Sequence, residues 1–332
     1  MVPVAKDAHT TSPKIKYSFL KILTGSDLSR RRLPLMTVES PRPGPVIWLT
    51  ACVHGDEVGG IVIIHELVKR VRKQLVRGAL SAFPLMNPLG FETASRDIIL
   101  SKEDLNRSFP GNAEGSIAER IADTTFTTMC RATPTLVLDL HNDWRKSIPY
   151  TLIDPRPGQV HETVYRRAEE FGTHTGLLLI RDADILKKSL TYSLLQHNIP
   201  ALTLELGESY VVNEKNIEYG VSAIWNILMH LEMVTQVNEP FHFPVPAPYR
   251  GKILSYSQEP LSSTSGIIRF IAKPGDLVHQ GQPVAKIYNT FGKLLETVRA
   301  LHEGIVLGHS DFSVAFPGVP VMAFGIIDRS TI

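Results

Sequence analysis

Through the first two thirds of this chain, short apolar runs bounded by turn residues alternate with longer stretches of helical spacing. No other feature limits the fold as much. The runs 46–52, 80–86, 135–140, 150–153, 177–180 and 201–206 are apolar at successive positions, as strands covered on both faces of a sheet must be. Between them, 58–76, 117–131, 160–171 and 217–234 carry apolar residues at helical intervals. Strands alternating with helices predict an α/β fold, a mixed sheet flanked by helices. Near Asn238 the pattern stops, because Pro240, Pro244, Pro246 and Pro248 fall in a short aromatic stretch that cannot continue a helix. Beyond Tyr249 no helical period is found. Glycines from Gly251 to Gly318 punctuate short apolar runs there, which predicts a smaller all-β module. The expected organisation is an α/β domain over residues 1–237, a Pro-rich linker over 238–249 and a β-rich domain over 250–332.

The 332 residues suffice for two compact domains. A hydrophobic content of 43% with 20% charged residues excludes the disordered and membrane classes. With 35 basic against 33 acidic residues, the net charge of +2 gives no field that would collect nucleic acid. The one dense basic run, Arg30 to Arg32, reads as a solvated loop or strand end. Residues 1–18 are polar and unlike a signal peptide, and no later run approaches the roughly 20 apolar residues of a membrane span. Cys52 and Cys130 cannot build a disulfide framework, and both sit in apolar settings suited to free thiols. A reducing cytoplasm is the expected location.

His54-Gly55-Asp56-Glu57 follows the first of these runs directly, and the spacing of His54 and Glu57 lets two side chains converge on one ion. With 12 His and 33 acidic residues, about one such pair is expected by chance, so the motif needs its context. Taken alone, it reads equally well as a histidine capping the next helix and an acid favouring its N-terminal dipole. The context is that His141 follows the predicted strand 135–140 just as His54 follows its own, while Glu205 lies near the end of the strand 201–206. Ligands of open α/β sheets bind in the crevice outside the carboxyl ends of the strands. Three ligands, two close in sequence and one remote, leave a fourth zinc position open for water, the catalytic arrangement. A second cluster comprises Asn87-Pro88, Arg96 and Asp104-Leu105-Asn106-Arg107. Its arginines can grip a carboxylate and stabilise charge on a carbonyl oxygen, though by itself it also reads as a surface loop held by Arg–Asp pairs.

In this order, His54-Gly55-Asp56-Glu57, Asn87-Pro88-Leu89-Gly90, Asp104-Leu105-Asn106-Arg107, Asp139-Leu140-His141 and Glu205 resemble the zinc carboxypeptidase superfamily. The closer match is its succinylglutamate desuccinylase and aspartoacylase branch, over residues 46–206, and the C-terminal β module is also typical of that branch. The resemblance implies a zinc hydrolase domain with a barrel-sandwich-like C-terminal domain, and one Zn²⁺ per chain held by His54, Glu57 and His141. Glu205 would be the general base, Arg96 would polarise the scissile carbonyl, and Asn106 and Arg107 would bind the substrate carboxylate. Asp104 would orient a ligating histidine, His54 in the first place. The superfamily's catalytic tyrosine has Tyr210, Tyr219 and Tyr256 as candidates, and Asp143 and Trp144 receive no role. Lys273-Pro274-Gly275-Asp276 with Gly281-Gln282 resembles biotinyl and lipoyl carrier domains, but the turn 288–291 holds no lysine to modify. A structural or gating module is expected instead.

The implied activity is removal of an acyl group from a small N-acyl amino acid, with an N-acetyl diamino acid, an N-acyl aspartate and N-succinylglutamate as candidates. A metallocarboxypeptidase acting on short peptides and a non-catalytic binding protein of the same fold are the alternatives. The expected partner is thus a small molecule, with no nucleic acid and no membrane, and self-association into a homo-oligomer stays open.

Overall fold

The computed structural model describes residues 12–25, 28–183, 185–236, 239–309 and 312–327. An N-terminal hairpin, β1 (Lys14–Thr24) and β2 (Arg30–Glu39), precedes β3 (Val46–Ala51), α1 (Gly59–Gln74), β4 (Ala79–Phe83), the short α2 (Pro88–Glu92) and α3 (Ile117–Arg131). Then come β5 (Leu136–His141), β6 (Lys146–Ser147), β7 (Tyr150–Ile153), α4 (Glu162–His174), β8 (Leu178–Arg181), α5 (Leu190–Gln196), β9 (Ala201–Glu205) and α6 (Glu214–His230). The remainder is β10 (Ile253–Ser257), β11 (Gly266–Phe270), β12 (Leu277–Val278), β13 (Pro283–Tyr288), β14 (Leu294–Arg299), β15 (Gly304–His309), β16 (Val314–Ala315) and β17 (Met322–Ile326). Each of the six predicted strands and four predicted helices has its counterpart here.

The central strands run in the order β4-β3-β5-β9-β7-β8, parallel except where β9 meets β7. Alternation along β5 explains its continuous apolar character. Leu136, Leu138 and Leu140 enter one core with Ile63 and Leu67 of α1 and Val221 and Ile224 of α6, while Val137 enters a second core with Phe126 of α3 and Leu194 of α5. Asp139 and His141 share the parity of Val137, so the chain's period of two sets them side by side on one face. Ser116 starts α3 with a reciprocal cap, its hydroxyl accepting from Glu119 N while the Glu119 carboxylate accepts from Ser116 N.

The sheet continues across the expected linker, whose first residue, Asn238, lies outside the described residues together with 237. β10 pairs in parallel with β8, and β17, β15 and β12 extend the same sheet. The proline-rich stretch lies packed against the α/β part. Asn226 donates to Phe241 O at 2.7 Å, Phe243 N donates to Gly176 O at 2.8 Å, and Val245 and Tyr249 are buried. A four-stranded antiparallel sheet, β14-β13-β11-β16, forms the rest of the module around Ile268, Val284, Ile287, Val298, Val306 and Phe324. Arg30 to Arg32 form the start of β2. Among the described residues, no helix is long and apolar enough to cross a membrane.

Candidate active site

At the C-terminal end of β3 the backbone turns out of the sheet at Cys52, which adopts a positive φ of 54°, and this turn delivers His54 and Glu57 ahead of α1. Gly55 is required by close approach. A Cβ there would lie 1.9 Å from the carbonyl carbon of Gly90, a backbone atom that cannot swing aside. No side chain caps α1, so the helix-cap reading of His54 does not apply. Both of its ring nitrogens instead face carboxylates, Nδ1 at 2.7 Å from Glu57 Oε1 and Nε2 at 3.1 Å from Asp104 Oδ1.

His141, the last residue of β5, mirrors this arrangement. Its Nδ1 lies 2.8 Å from Glu57 Oε2, and its Nε2 lies 2.8 Å from Asp139 Oδ2. Asp139 is itself held by the Thr50 hydroxyl, which donates at 2.6 Å. The donor atoms of His54, Glu57 and His141 lie within 4.8 Å of one another, and all three residues are buried. Two imidazoles and one carboxylate, with the far nitrogen of each ring tied to a further carboxylate, make a donor set that fits a zinc-type ion with an open position. A second group of possible ligands, Glu170, His174 and His230, is exposed on the outer helices α4 and α6.

Glu205 ends β9 as the direct register partner of His141, between β5 and β7, so it does not sit on an edge strand. Its Oε2 is buried and has no hydrogen-bond partner. A carboxylate oxygen in that state is costly unless a ligand in the cleft completes it, which agrees with a metal site beside it. Burial and the nearby Asp143 push the Glu205 carboxyl well above the usual range. Glu57 behaves oppositely, since the two histidines outweigh the effect of burial and hold it well below that range. Burial alone would lower His54 and His141, but Glu57 with Asp104 in one case, and Asp139 with Glu57 in the other, raise both.

Arg96, half-exposed, donates to Asp104 Oδ2 at 3.0 Å and comes within 3.8 Å of Glu57 Oε1. Arg107 is likewise half-exposed and lies 4.0 Å from Asp104 Oδ2. Asn106 accepts from Leu190 N at 2.9 Å through Oδ1, which leaves the donor end of its amide for the cleft. All eight residues singled out in the sequence, bar Asp104, line one cleft of about 300 Å³, and Asp104 stands directly behind His54 and Arg96. A larger cavity of about 470 Å³ beneath Phe243 and Tyr249 contains none of them. Of the candidate tyrosines only Tyr256 lines the cleft. Tyr219 packs on Phe241 and Phe243, and Tyr210 lies under the Arg145 guanidinium, away from the cleft lining.

Four further titratable cleft residues were not singled out by the sequence or were left without a role. Tyr150 is buried and donates to Asp143 Oδ2 at 2.6 Å, giving Asp143 a place in the site. Asp154 and Asp182 stand at the ends of β7 and β8. Strand-end position was the available signal for all but Asp143, but it singles out an acid or a tyrosine less sharply than a histidine.

A mixed sheet whose strand ends deliver a His-Glu-His cluster and a buried glutamate, with two arginines from the segment between α2 and α3 beside them, defines a carboxypeptidase-like hydrolase scaffold. The solved structure of a metallo-carboxypeptidase from Burkholderia cenocepacia matches 68% of this chain and 66% of its own with a TM-score of 0.53 at 17% identity. The chain belongs to the succinylglutamate desuccinylase/aspartoacylase family, whose catalytic-domain model matches residues 43–231. It is 28% identical over 298 residues to the N-alpha-acetyl-L-2,4-diaminobutyric acid deacetylase of Halomonas elongata, covering 86% of this chain and 84% of that protein. The product-bound ectoine utilization protein EutE (DoeB) from Ruegeria pomeroyi shares the fold almost throughout, with a TM-score of 0.80, 19% identity and coverage of 97% and 98%. Family and relative together support a deacylase.

Proposed function

We propose that the protein is a zinc-dependent amidohydrolase that removes a short acyl group from a small N-acyl amino acid. The observation that carries this reading is the juxtaposition, in one small cleft, of the His54-Glu57-His141 cluster with the partnerless Glu205 Oε2. The three ligands would hold the ion. Bound there, zinc would act as a Lewis acid toward a carbonyl oxygen and bring the pKa of a coordinated water toward about 7.

The chain's own groups supply the rest. Glu205, with its carboxyl raised by burial, is a stronger base than a solvated glutamate, and can take a proton from water and return it to the leaving amine. Arg96 is kept cationic beside Asp104 and Glu57 against the effect of burial, and offers its guanidinium to the oxygen that gains charge. Arg107 and the amide of Asn106 bind the substrate carboxylate. Asp104 and Asp139 fix the orientation of the two imidazoles. A volume of about 300 Å³ stands at the lower end for small-molecule sites, which favours a free N-acyl amino acid over a peptide. The deacetylase of Halomonas elongata points the same way.

The test is zinc analysis combined with hydrolysis of a panel of N-acyl amino acids and dipeptides. One zinc per chain and faster turnover of N-acyl amino acids are expected, with zinc lost in His54→Ala and in His141→Ala. Zinc undiminished in both variants removes the ligand assignment, and dipeptides cleaved faster than every N-acyl amino acid would establish the carboxypeptidase reading.

A further inference from the structure

A second convergence of metal-type donors lies on the outer surface of the helical layer. Glu170 and His174 stand one turn apart on α4, at the i and i+4 positions of one helix face. His230, the last residue of α6, reaches the same point from the neighbouring helix, with Nε2 at 3.3 Å from Glu170 Oε1. The rings of His174 and His230 lie nearly parallel, with centroids 3.6 Å apart. One donor atom from each of the three residues falls within 4.8 Å of the other two, and all three side chains are exposed. None of them lines the cleft. Tyr165 and Phe171 of α4 and Val221 and Ile224 of α6 share the core of α1, whereas Val137, which has the parity of Asp139 and His141, enters the core on the other side of the sheet.

An ordinary surface ion pair does not account for this arrangement. Such a pair contributes little and needs only one histidine, yet a second imidazole is laid flat against the first. Two facing imidazoles oppose each other's protonation. Burial and the facing His230 lower the His174 pKa, which favours the neutral ring that a metal requires. Both helices also end here, since His174 and His230 are the last residues of α4 and α6, and two helix dipoles turn their negative ends toward the cluster. Phe171 meets the His230 ring edge-on at 6.1 Å and seats it on the packed surface between the helices. Two imidazoles and one carboxylate suit a borderline divalent ion such as zinc, rather than calcium or magnesium with their oxygen shells. At its usual bond lengths zinc holds tetrahedral donors about 3.4 Å apart, so exposed side chains need only modest torsional changes to close on it, with water as the fourth ligand.

We propose that Glu170, His174 and His230 form a second zinc site, which clamps the C-terminal end of α4 to that of α6. Its role is structural and independent of the cleft. Being exposed, and without carboxylates behind its histidines, it binds more weakly than the buried site and fills only when zinc is supplied.

The experiment is calorimetric titration of zinc chloride into dialysed, zinc-loaded enzyme in a buffer that does not coordinate metals, followed by thermal melts. Wild type is expected to take up one further zinc per chain. Removing a group that merely orients a ligand costs 10- to 100-fold in metal affinity, so His174→Ala and His230→Ala should each weaken this second event at least about tenfold, leaving the first zinc and the turnover unchanged. Added zinc should raise the Tm of wild type but not of these variants, because the ion binds the native pairing of the helices. Melts in chelator, where variants and wild type should agree, confirm that the folds are intact. Absence of a second event in wild type overturns the proposal, and so does a second event that keeps wild-type affinity in either variant, which would place the ion elsewhere on the surface. If the cleft proves to hold no zinc, a single event remains, and its loss in His174→Ala and His230→Ala still identifies the outer site.

Discussion

Asp139→Asn tests whether His141 is a metal ligand or a buried histidine with good partners. Asp139 is fully buried, accepts from Thr50 Oγ1 at 2.6 Å and faces His141 Nε2 at 2.8 Å, which directs Nδ1 toward Glu57. Asparagine fills the same space, so the core is not disturbed. If its oxygen faces His141, the tautomer is kept but the negative charge that makes the ring a better ligand is lost. If its NH₂ faces His141 instead, Nε2 must accept, and the proton moves to Nδ1, the nitrogen needed for the ion. Either arrangement weakens the site. Loss of such a carboxylate typically costs 10- to 100-fold in metal affinity, about 1.4 to 2.7 kcal/mol. Competition with a chromophoric chelator measures this affinity, and circular dichroism confirms the fold. Zinc affinity within about threefold of wild type in a folded variant would refute the reasoning, because the Nδ1 of His141 could not then depend on the charge behind it.

Other perturbations separate the remaining roles. Glu205→Gln should retain zinc while lowering kcat by roughly a factor of 100 to 10,000, and loss of zinc would make Glu205 a ligand. Arg107→Lys keeps the charge but loses the planar fork, so KM should rise more than kcat falls; an amidated substrate cleaved as fast as the parent contradicts the carboxylate role. Metal-free protein should be most stable at mildly acidic to neutral pH. His54 and His141 have raised folded pKa values, so their contribution is present below the unfolded value and lost as pH rises through the folded one. Glu57 and Asp104 are lowered, so theirs is present above the unfolded carboxylate range and lost as pH falls. Since binding needs neutral imidazoles, the increase in Tm on adding zinc should grow as pH rises, and thermal melts with zinc or chelator would show a flat or opposite trend if this is wrong.

What the sequence made legible were features of short range. The apolar runs of β3, β5 and β9 are buried on both faces, and their ends deliver His54, His141 and Glu205 to one crevice. The hairpin β1–β2 was less visible because its strands mix Lys and Arg with exposed Tyr17 and Phe19. α5 was missed for the opposite reason. Leu190 to Leu195 are buried at every position, which leaves no polar face to reveal a helical period. Asp139 is within two residues of His141 and could have been found by asking what lies on the same face of the strand. Tyr150, Asp154 and Asp182 were marked only weakly, by strand-end position, because their significance depends on the pairing of β7 with β8 and β9.

The role of the C-terminal module changes once pairing is known. From composition it is a separate β unit that could gate the cleft, and Tyr256 and Gln258 do line it. Yet Ile253 pairs with Leu179 across more than seventy residues of sequence, and Tyr150, Leu178 and Ile180 share a buried cluster with Val245, Tyr249, Leu254, Ile305 and Leu307. β10 also covers the edge of β8, the strand that Asp182 follows. Without the module, β8 would present unpaired backbone groups and apolar side chains to water, an aggregation-prone edge. The module therefore supports the strand ends at Asp154 and Asp182 by completing the sheet beneath them while it contributes two side chains to the mouth. These two effects are inseparable in a deletion, but not in point variants. Changes at Gln258, which follows β10, act on the cleft, whereas changes at Leu254, fully buried between the two parts, act on the sheet that holds Asp154 and Asp182 in register.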